Sequence, residues 1–477
     1  MMRYIKRNDI TSILSYSGQM MMAIGVMILI PIVVDLIYLE FNCAGYLLAG
    51  SLSLICGIIF DKGFRKYRKT MRLKHAMIVS AFIWLWASLV GGIALSMVTH
   101  LDYISSVFEN MSALTGTGAT MFVDVEILPH SALFLRAFEQ WIGGLGVIVL
   151  VIAVMTRPGT TTAKLYKSEA RDERLEPSIK TTLKKTLTIY GIYTICGIIL
   201  YVLAGMPFFD SICACFTTIS TGGMSIKNAN MGFYNNNLIY VITMILMIIG
   251  ATSFTVHYKI IKSRGKSLIK DLQFQVMLII IAIAFILITL TTNILPMDIL
   301  FTIISAITTT GATIVPTQTF VSWPALTFII IITCMLIGGS SGSTVGSIKL
   351  IRIITFFKGL YNHLKEIMSP EGRVLVVKIS DHVIPEKAIS ESGNYITLFM
   401  IFILIGWAIF CGFGYDPFQS LFEIVSIQGN NGLQTGIINI NAHWILKIVS
   451  ILHMWIGRLE IFPVLVLVRA FFEVFRR

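Results

Sequence analysis

Long apolar runs alternate along this chain with shorter stretches in which hydrophobic and polar residues interleave. Ten runs fall near residues 13–37, 42–60, 76–98, 132–156, 187–205, 237–257, 274–294, 325–357, 395–413 and 444–468. A helix needs about 20 apolar residues to cross the hydrocarbon core, so each run predicts a span. Four shorter amphipathic stretches lie between them: "LDYISSVFENMSAL", "PFFDSICACFTTI", "PMDILFTIISAI" and "DPFQSLFEIVSI". Each has Asp or Pro at or near its start, which suits a helix N-terminus. At about eleven to fourteen residues they are too short to span, and they predict re-entrant helices.

Each short stretch runs into a polar, glycine-bearing turn: "MSALTGTGATM" (111–121), "FTTISTGGMSI" (216–226), "ISAITTTGATI" (304–314) and "VSIQGNNGLQTG" (425–436). After the first two helices the chain thus repeats four times the order of span, short helix, turn, span. That periodicity predicts four equivalent units. Non-helical backbone at membrane depth is tolerated only where it is buried in protein or lines a watery path. Four such turns meeting on one axis satisfy this condition together, with carbonyls replacing the hydration shell of a cation. Ordinary exoplasmic turns are the plainer alternative, since Thr-Gly and Asn-Gly are common turn formers; fourfold recurrence at one topological position favours the filter. The predicted walls are Thr115, Gly116, Thr117, Gly118; Ile219, Ser220, Thr221, Gly222; Thr308, Thr309, Thr310, Gly311; and Gly429, Asn430, Asn431, Gly432.

Composition agrees. The chain has 477 residues, 56% hydrophobic and 13% charged, with a mean hydropathy of +0.81, which excludes an ordinary soluble protein. The first apolar run lacks the layout of a cleaved signal and is expected to be a retained helix. The net charge of +12 sits in patches at 61–75, 157–185, 259–270 and 349–387. The opposite loops, 99–131, 206–236, 295–324 and 414–443, hold Lys227 and no other Lys or Arg. This asymmetry places both termini in the cytoplasm and accounts for the charge without nucleic acid. The seven cysteines stand singly apart from Cys213 and Cys215, and predict neither a disulfide framework nor a metal site.

Further residues carry chemistry. In "IGGSSGSTVGSIK" the run Gly338, Gly339, Ser340, Ser341, Gly342, Ser343, Thr344 and Gly346 interrupts a closing span. Poor helix formers in that density predict a loop, with a tightly packed kinked helix as the alternative. Arg458 is expected near the middle of the last span, where an ionised side chain is functional by default. Glu460, two residues on, points to another face, and Glu139 is the alternative buried partner. Arg136 and Glu139, three apart, are expected to pair structurally, and His453 to pack. "GSSG" (339–342) also matches the short motif of an intramembrane serine protease, which requires Ser341 and a base. The segment 369–387 alternates apolar and polar residues and predicts a small hairpin.

With the filters, "RAFEQWIGGLGVIVL" (136–150), "IGGSSGSTVGSIKLIR" (337–352) and "GRLEIFPVLVLV" (457–468), the chain resembles the Trk/Ktr/HKT superfamily of potassium transporters, and specifically the bacterial TrkH type. The resemblance covers essentially the whole chain. It implies an all-α polytopic protein of the inner membrane, with four membrane–pore-loop–membrane repeats in pseudo-fourfold symmetry around one pore. The units would be an N-terminal two-helix unit (1–70), repeats over 71–160, 161–265 and 266–360, a cytoplasmic connection (361–392) and a last repeat (393–477). It further implies potassium uptake, a homodimer in membrane lipid, a cytosolic nucleotide-binding TrkA-like ring, and gating by the 338–347 loop with Arg458. Glycine at all four filter positions favours potassium, since in this family Ser at the first is associated with sodium. The "GNN" of the fourth turn departs most and leaves a weakly selective pathway open. Coupled symport is a second alternative. Potassium is cargo; no organic cofactor and no enzyme activity are expected.

Overall fold

The structure, a computed structural model, describes residues 7–67, 71–146, 179–263, 266–370, 376–379 and 382–475. Helices Arg7–Leu29 and Cys43–Phe64 form an antiparallel pair. Small residues set their spacing: a Cβ on Gly18 would lie 2.7 Å from the Gly57 carbonyl, and one on Gly25 2.8 Å from that of Gly50. Such close backbone approach is how helices associate where lipid supplies no hydrophobic drive. Ser53 Oγ adds a bond to the Met21 carbonyl at 2.8 Å.

Four sets of elements follow. The opening helices are Leu73–Thr99, Ile179–Leu203, Leu272–Thr291 and Glu386–Gly412, and the short helices are Tyr103–Thr115, Phe208–Ile219, Pro296–Ile307 and Pro417–Gln428. The starts of the short helices follow their chemistry. Asp102 accepts from the Ser105 N–H, Asp416 accepts from those of Phe418 and Gln419, and Pro296 stands where no N–H is needed. From Ser105 to Thr115, and from Phe422 to Gln428, every residue is buried. The short helices therefore dip into protein, not lipid, and carry their partly negative C-termini inward. The last set returns to the first: Lys447 Nζ donates to Ser105 Oγ at 2.7 Å and Trp455 Nε1 to the Ala81 carbonyl at 3.1 Å.

The closing spans differ from expectation. The run at 237–257 is two helices, Asn237–Ala251 and one beginning at Phe254, bent by 105°. The run at 444–468 bends by 115° between Arg458 and Phe462, whereas the run at 325–357 stops at Ile337 and resumes at Leu350 around the expected Gly-Ser loop. The bend before Phe462 holds Glu460 and Ile461 at φ 56° and 67°, a left-handed conformation costly for a β-branched residue. In the first repeat the closing helix is His130–Leu145, and residues 147–156 lie outside the described residues. Among the described residues six helices are long and apolar enough to cross a membrane, with two bent pairs besides. The expected hairpin is present: Lys378–Ile379 pairs antiparallel with His382–Val383.

Candidate functional site

The four turns share one backbone path. The N–H groups of Thr117, Gly222, Thr310 and Asn431 donate to the carbonyls of Ser112, Thr217, Ser305 and Ser426 at 2.8–2.9 Å. The residue before each donor, Gly116, Thr221, Thr309 or Asn430, has φ between 51° and 69°, and the residue after it, Gly118, Gly223, Gly311 or Gly432, between 68° and 91°. Two left-handed residues thus flank one ordinary residue in every turn. The second is glycine each time, because a Cβ there would overlap the next turn: Gly118 against the Gly222 carbonyl, Gly223 against Thr310, Gly311 against Asn431, and Gly432 against Thr117. Followed round, these four contacts close a ring.

The ring corrects the second wall by one residue. Gly223, not Gly222, is equivalent to Gly118, Gly311 and Gly432, so the wall comprises Ser220, Thr221, Gly222 and Gly223. Ile219 instead ends the short helix, its side chain buried in the apolar core. The glycines Gly118, Gly223, Gly311 and Gly432 together line one cavity of about 170 Å³, which they share with Thr120, Arg136 and residues of the outer loops.

Hydroxyls and carboxylates brace the first, third and fourth turns. Thr115 bonds Thr117 and Thr308 bonds Thr310, side chain to side chain, both at 2.8 Å. Ser112 and Ser305 donate to the carbonyls of Ala119 and Ala312 at 2.6 and 2.7 Å, tying helix to outgoing segment. Two residues that sequence reasoning missed do the same: Glu109 accepts the Met121 N–H at 2.7 Å, and Glu423 that of Thr435 at 2.8 Å. They stand at the same place in repeats one and four, each three residues before its serine. Arg136 pairs with Glu109 (Nε to Oε1, 2.8 Å), not with Glu139 as its spacing suggested. Glu139 accepts from Asn110 Nδ2 at 2.8 and 2.7 Å.

Beneath the ring lies the non-helical stretch from Gly338 to Lys349. Its backbone turns through left-handed angles at Gly338, Gly342, Ser347 and Lys349, and several of its polar groups bond the walls. Thr344 Oγ1 bonds Thr221 Oγ1 at 2.9 Å and the Gly250 carbonyl at 3.0 Å. The Gly346 N–H donates to Thr309 Oγ1 at 3.0 Å, and Ser347 Oγ to the Gly429 carbonyl at 3.1 Å. Arg458 ends its helix at the bend, which is a correction to its expected mid-span place. Its guanidinium donates to the carbonyls of Thr344 (2.8 Å), Gly144 (3.1 Å) and Gly143. These carbonyls, not Glu139, are its hydrogen-bond acceptors. Glu460 pairs with Lys349 at 2.5 Å and with Arg352. Loop, first closing helix and fourth closing helix are therefore joined under the ring.

The remaining candidates are structural. The Ser341 N–H donates to Gln273 Oε1 at 2.8 Å, and no bond joins Ser341 to a histidine among the described residues. His453 is buried with Nδ1 2.8 Å from Gln428 Oε1. No cluster of three metal-ligating side chains occurs among the described residues.

Known proteins share this architecture. Residues 53–473 match the family model of TrkH, described as cation transport protein. The chain is 38% identical to an uncharacterized cation transporter of Methanocaldococcus jannaschii, over 97% of this chain and 96% of that one. It is 31% identical to the Trk system potassium uptake protein TrkG of Escherichia coli, over 84% and 86%. It superimposes on the crystal structure of the potassium transporter TrkH from Vibrio parahaemolyticus with a TM-score of 0.85 and 27% identity, covering 96% of this chain and 98% of that one. A family match over most of the chain, together with helices long and apolar enough to cross a membrane, identifies a multi-pass membrane protein and not an enzyme: the chain belongs to the TrkH family of cation transport proteins.

Proposed function

We propose that this chain carries potassium across the cytoplasmic membrane through the ring of its four turns, with both termini in the cytoplasm. The observation that carries the reading is the cyclic contact of Gly118, Gly223, Gly311 and Gly432, each against the carbonyl of the next wall. On this reading the four carbonyls edge a passage with backbone oxygen. Oxygens in that arrangement substitute for the water of a dehydrated alkali cation. The inward C-termini of the short helices lower the cost of holding positive charge there. The names of the relatives, a potassium uptake protein and a potassium transporter, support the choice of cation.

The loop from Gly338 to Lys349 and Arg458 form the gate of this pathway. Arg458 remains protonated at any accessible pH, so its position under the ring raises a barrier to cations as well as tying the loop in place. Opening requires the loop to release its bonds to Thr221, Thr309 and Gly429. The "Trk system" of the relatives' names supports further components, which we take to be a second copy of this chain and a cytosolic nucleotide-binding ring. Asn430 and Asn431 favour a second reading, a weakly selective potassium and sodium pathway, because amides replace hydroxyls in the fourth wall. Asn430 Nδ2 donates to Thr117 Oγ1 at 3.0 Å, and Asn431 Nδ2 to the Ala306 carbonyl at 2.7 Å.

Tracer uptake into liposomes holding the purified full chain tests the proposal under potassium, rubidium, sodium and lithium gradients. Uptake of potassium and rubidium well above sodium and lithium is expected. Equal sodium uptake would replace the first reading by the second, and uptake of none, with or without a cytosolic ring added, would overturn both.

A further inference from the structure

The second wall is held by a side chain from the first repeat. Gln140, on helix His130–Leu145, is buried with 0% exposure. Its Nε2 donates to the Gly222 carbonyl at 2.8 Å, and its Oε1 accepts from the Met224 N–H at 3.1 Å. A backbone N–H can only donate, so Met224 fixes which end of the amide is oxygen and leaves the NH2 on Gly222. The two bonds bracket Gly223, the ring glycine of that wall. They also explain Gly222, whose φ is not left-handed: a Cβ there would overlap the Gln140 amide.

The other repeats lack this clamp. Gly143, Gly250 and Gly457 occupy one place in their closing helices, each pressed against the end of its own short helix at the carbonyl of Leu114, Ile219 or Gln428. Three residues earlier stand Gln140, Met247 and Met454. Both methionines are buried with 0% exposure, and neither side chain has an N–H to offer. Of the four carbonyls that face a neighbouring ring glycine, those of Thr117, Gly222, Thr310 and Asn431, only Gly222 accepts a hydrogen bond among the described residues. The ring is fourfold in its backbone path but not in its field.

We infer that Gln140 is a positioning residue that sets the cation preference of the ring, an inference that rests on the ring being the selective element. The amide draws on the lone pairs of one carbonyl in four and anchors the strand on both sides of Gly223. A sodium ion requires shorter oxygen distances than potassium, so coordinating it demands that the walls move inward. The clamp holds the second wall back, and the preference for the larger ion depends on it.

The test is the potassium-to-sodium uptake ratio of the full chain in liposomes for wild type, Gln140→Met, Gln140→Glu and Gly311→Ser. Gln140→Met places here the residue found in repeats two and four. Losing a hydrogen bond worth about 1 kcal/mol corresponds to a fall in the ratio of roughly three- to tenfold. Gln140→Glu, when protonated, keeps one donor and one acceptor in the same places. Its ratio is expected to stay nearer wild type than that of Gln140→Met, most of all at low pH, which a loss of packing alone would not produce. Where a variant carries no flux, the same preference is read from the shift in thermal stability that each cation produces. Wild-type ratios in both Gln140 variants, or equal falls in both at every pH, would overturn the inference. If Gly311→Ser lowers the ratio while the Gln140 variants do not, the filter stands and the clamp fails. If none of the three changes it, the filter reading itself fails.

Discussion

The ring of turns and the layer beneath it are built on opposite principles. In the ring, four segments of different sequence, "TGTG", "STGG", "TTTG" and "GNNG", adopt one backbone path with left-handed residues at the same two places. In the layer beneath, much less repeats: among the described residues the third closing span alone is interrupted by a loop of a dozen residues, and the fourth alone places an arginine under the ring. The contrast follows from the role proposed for each layer. Coordination by carbonyls needs donors on every side of an ion, so each repeat must supply the same geometry. Blocking a path needs one obstacle, so a single repeat suffices and the other three remain free to pack. Side-chain identity is accordingly loose in the ring, where the proposed coordination is by backbone, and specific in the layer beneath.

The largest expected effect breaks the ring at its corrected position. Gly223→Ala places a Cβ against the Thr310 carbonyl at φ 68°. Left-handed strain and overlap with backbone together cost about 2–3 kcal/mol, and potassium uptake is expected to fall roughly hundredfold. Gly222→Ala meets the Gln140 side-chain amide rather than backbone, and its loss of uptake is expected to be several times smaller. The opposite order in a liposome uptake assay would return the register to Gly222. Next in size, Arg458→Ala removes both the charge beneath the ring and the bonds to Thr344 and Gly144. Basal uptake is expected to rise by about tenfold, in line with the cost of an ion passing a buried like charge. Unchanged or lower uptake in well-folded protein would separate Arg458 from the gate.

The same contrast decides what the sequence could reveal. Glycine, threonine and asparagine in short polar turns announce a local backbone, so all four turns were legible, and so was the Gly-Ser interruption at 338–347. The error in the second wall arose because "TGG" offers two glycines for different reasons. One meets a left-handed angle, the other makes room for Gln140, and only the partner side chain distinguishes them. The bend at 459–461 was hidden because "LEI" contains neither glycine nor proline. It is imposed from outside, through ion pairs of Glu460 with Lys349 and Arg352 more than a hundred residues away and through complete burial of Ile461. Arg136 pairs outside its own helix for a related reason. Spacing favours a neighbour on its own helix, whereas Glu109 reaches it from the adjacent short helix.

The smallest effect sharpens the comparison most, because it asks whether the two layers can be uncoupled. Thr344 touches both: its hydroxyl bonds Thr221 in the ring and the Gly250 carbonyl, and its own carbonyl receives Arg458. Thr344→Val keeps the shape and the Arg458 contact but removes the hydroxyl. A net loss of about 1 kcal/mol from the loop's attachment predicts a rise in basal uptake of about fivefold. The potassium-to-sodium ratio is expected to remain that of wild type, since the φ of Thr221 is set by the turn's own bond from Gly222 to Thr217 and not by Thr344. A changed ratio with unchanged uptake would mean that the loop shapes the ring, and that selection and gating share one structure. A raised uptake with the ratio intact would place them in separate layers that meet at single hydrogen bonds.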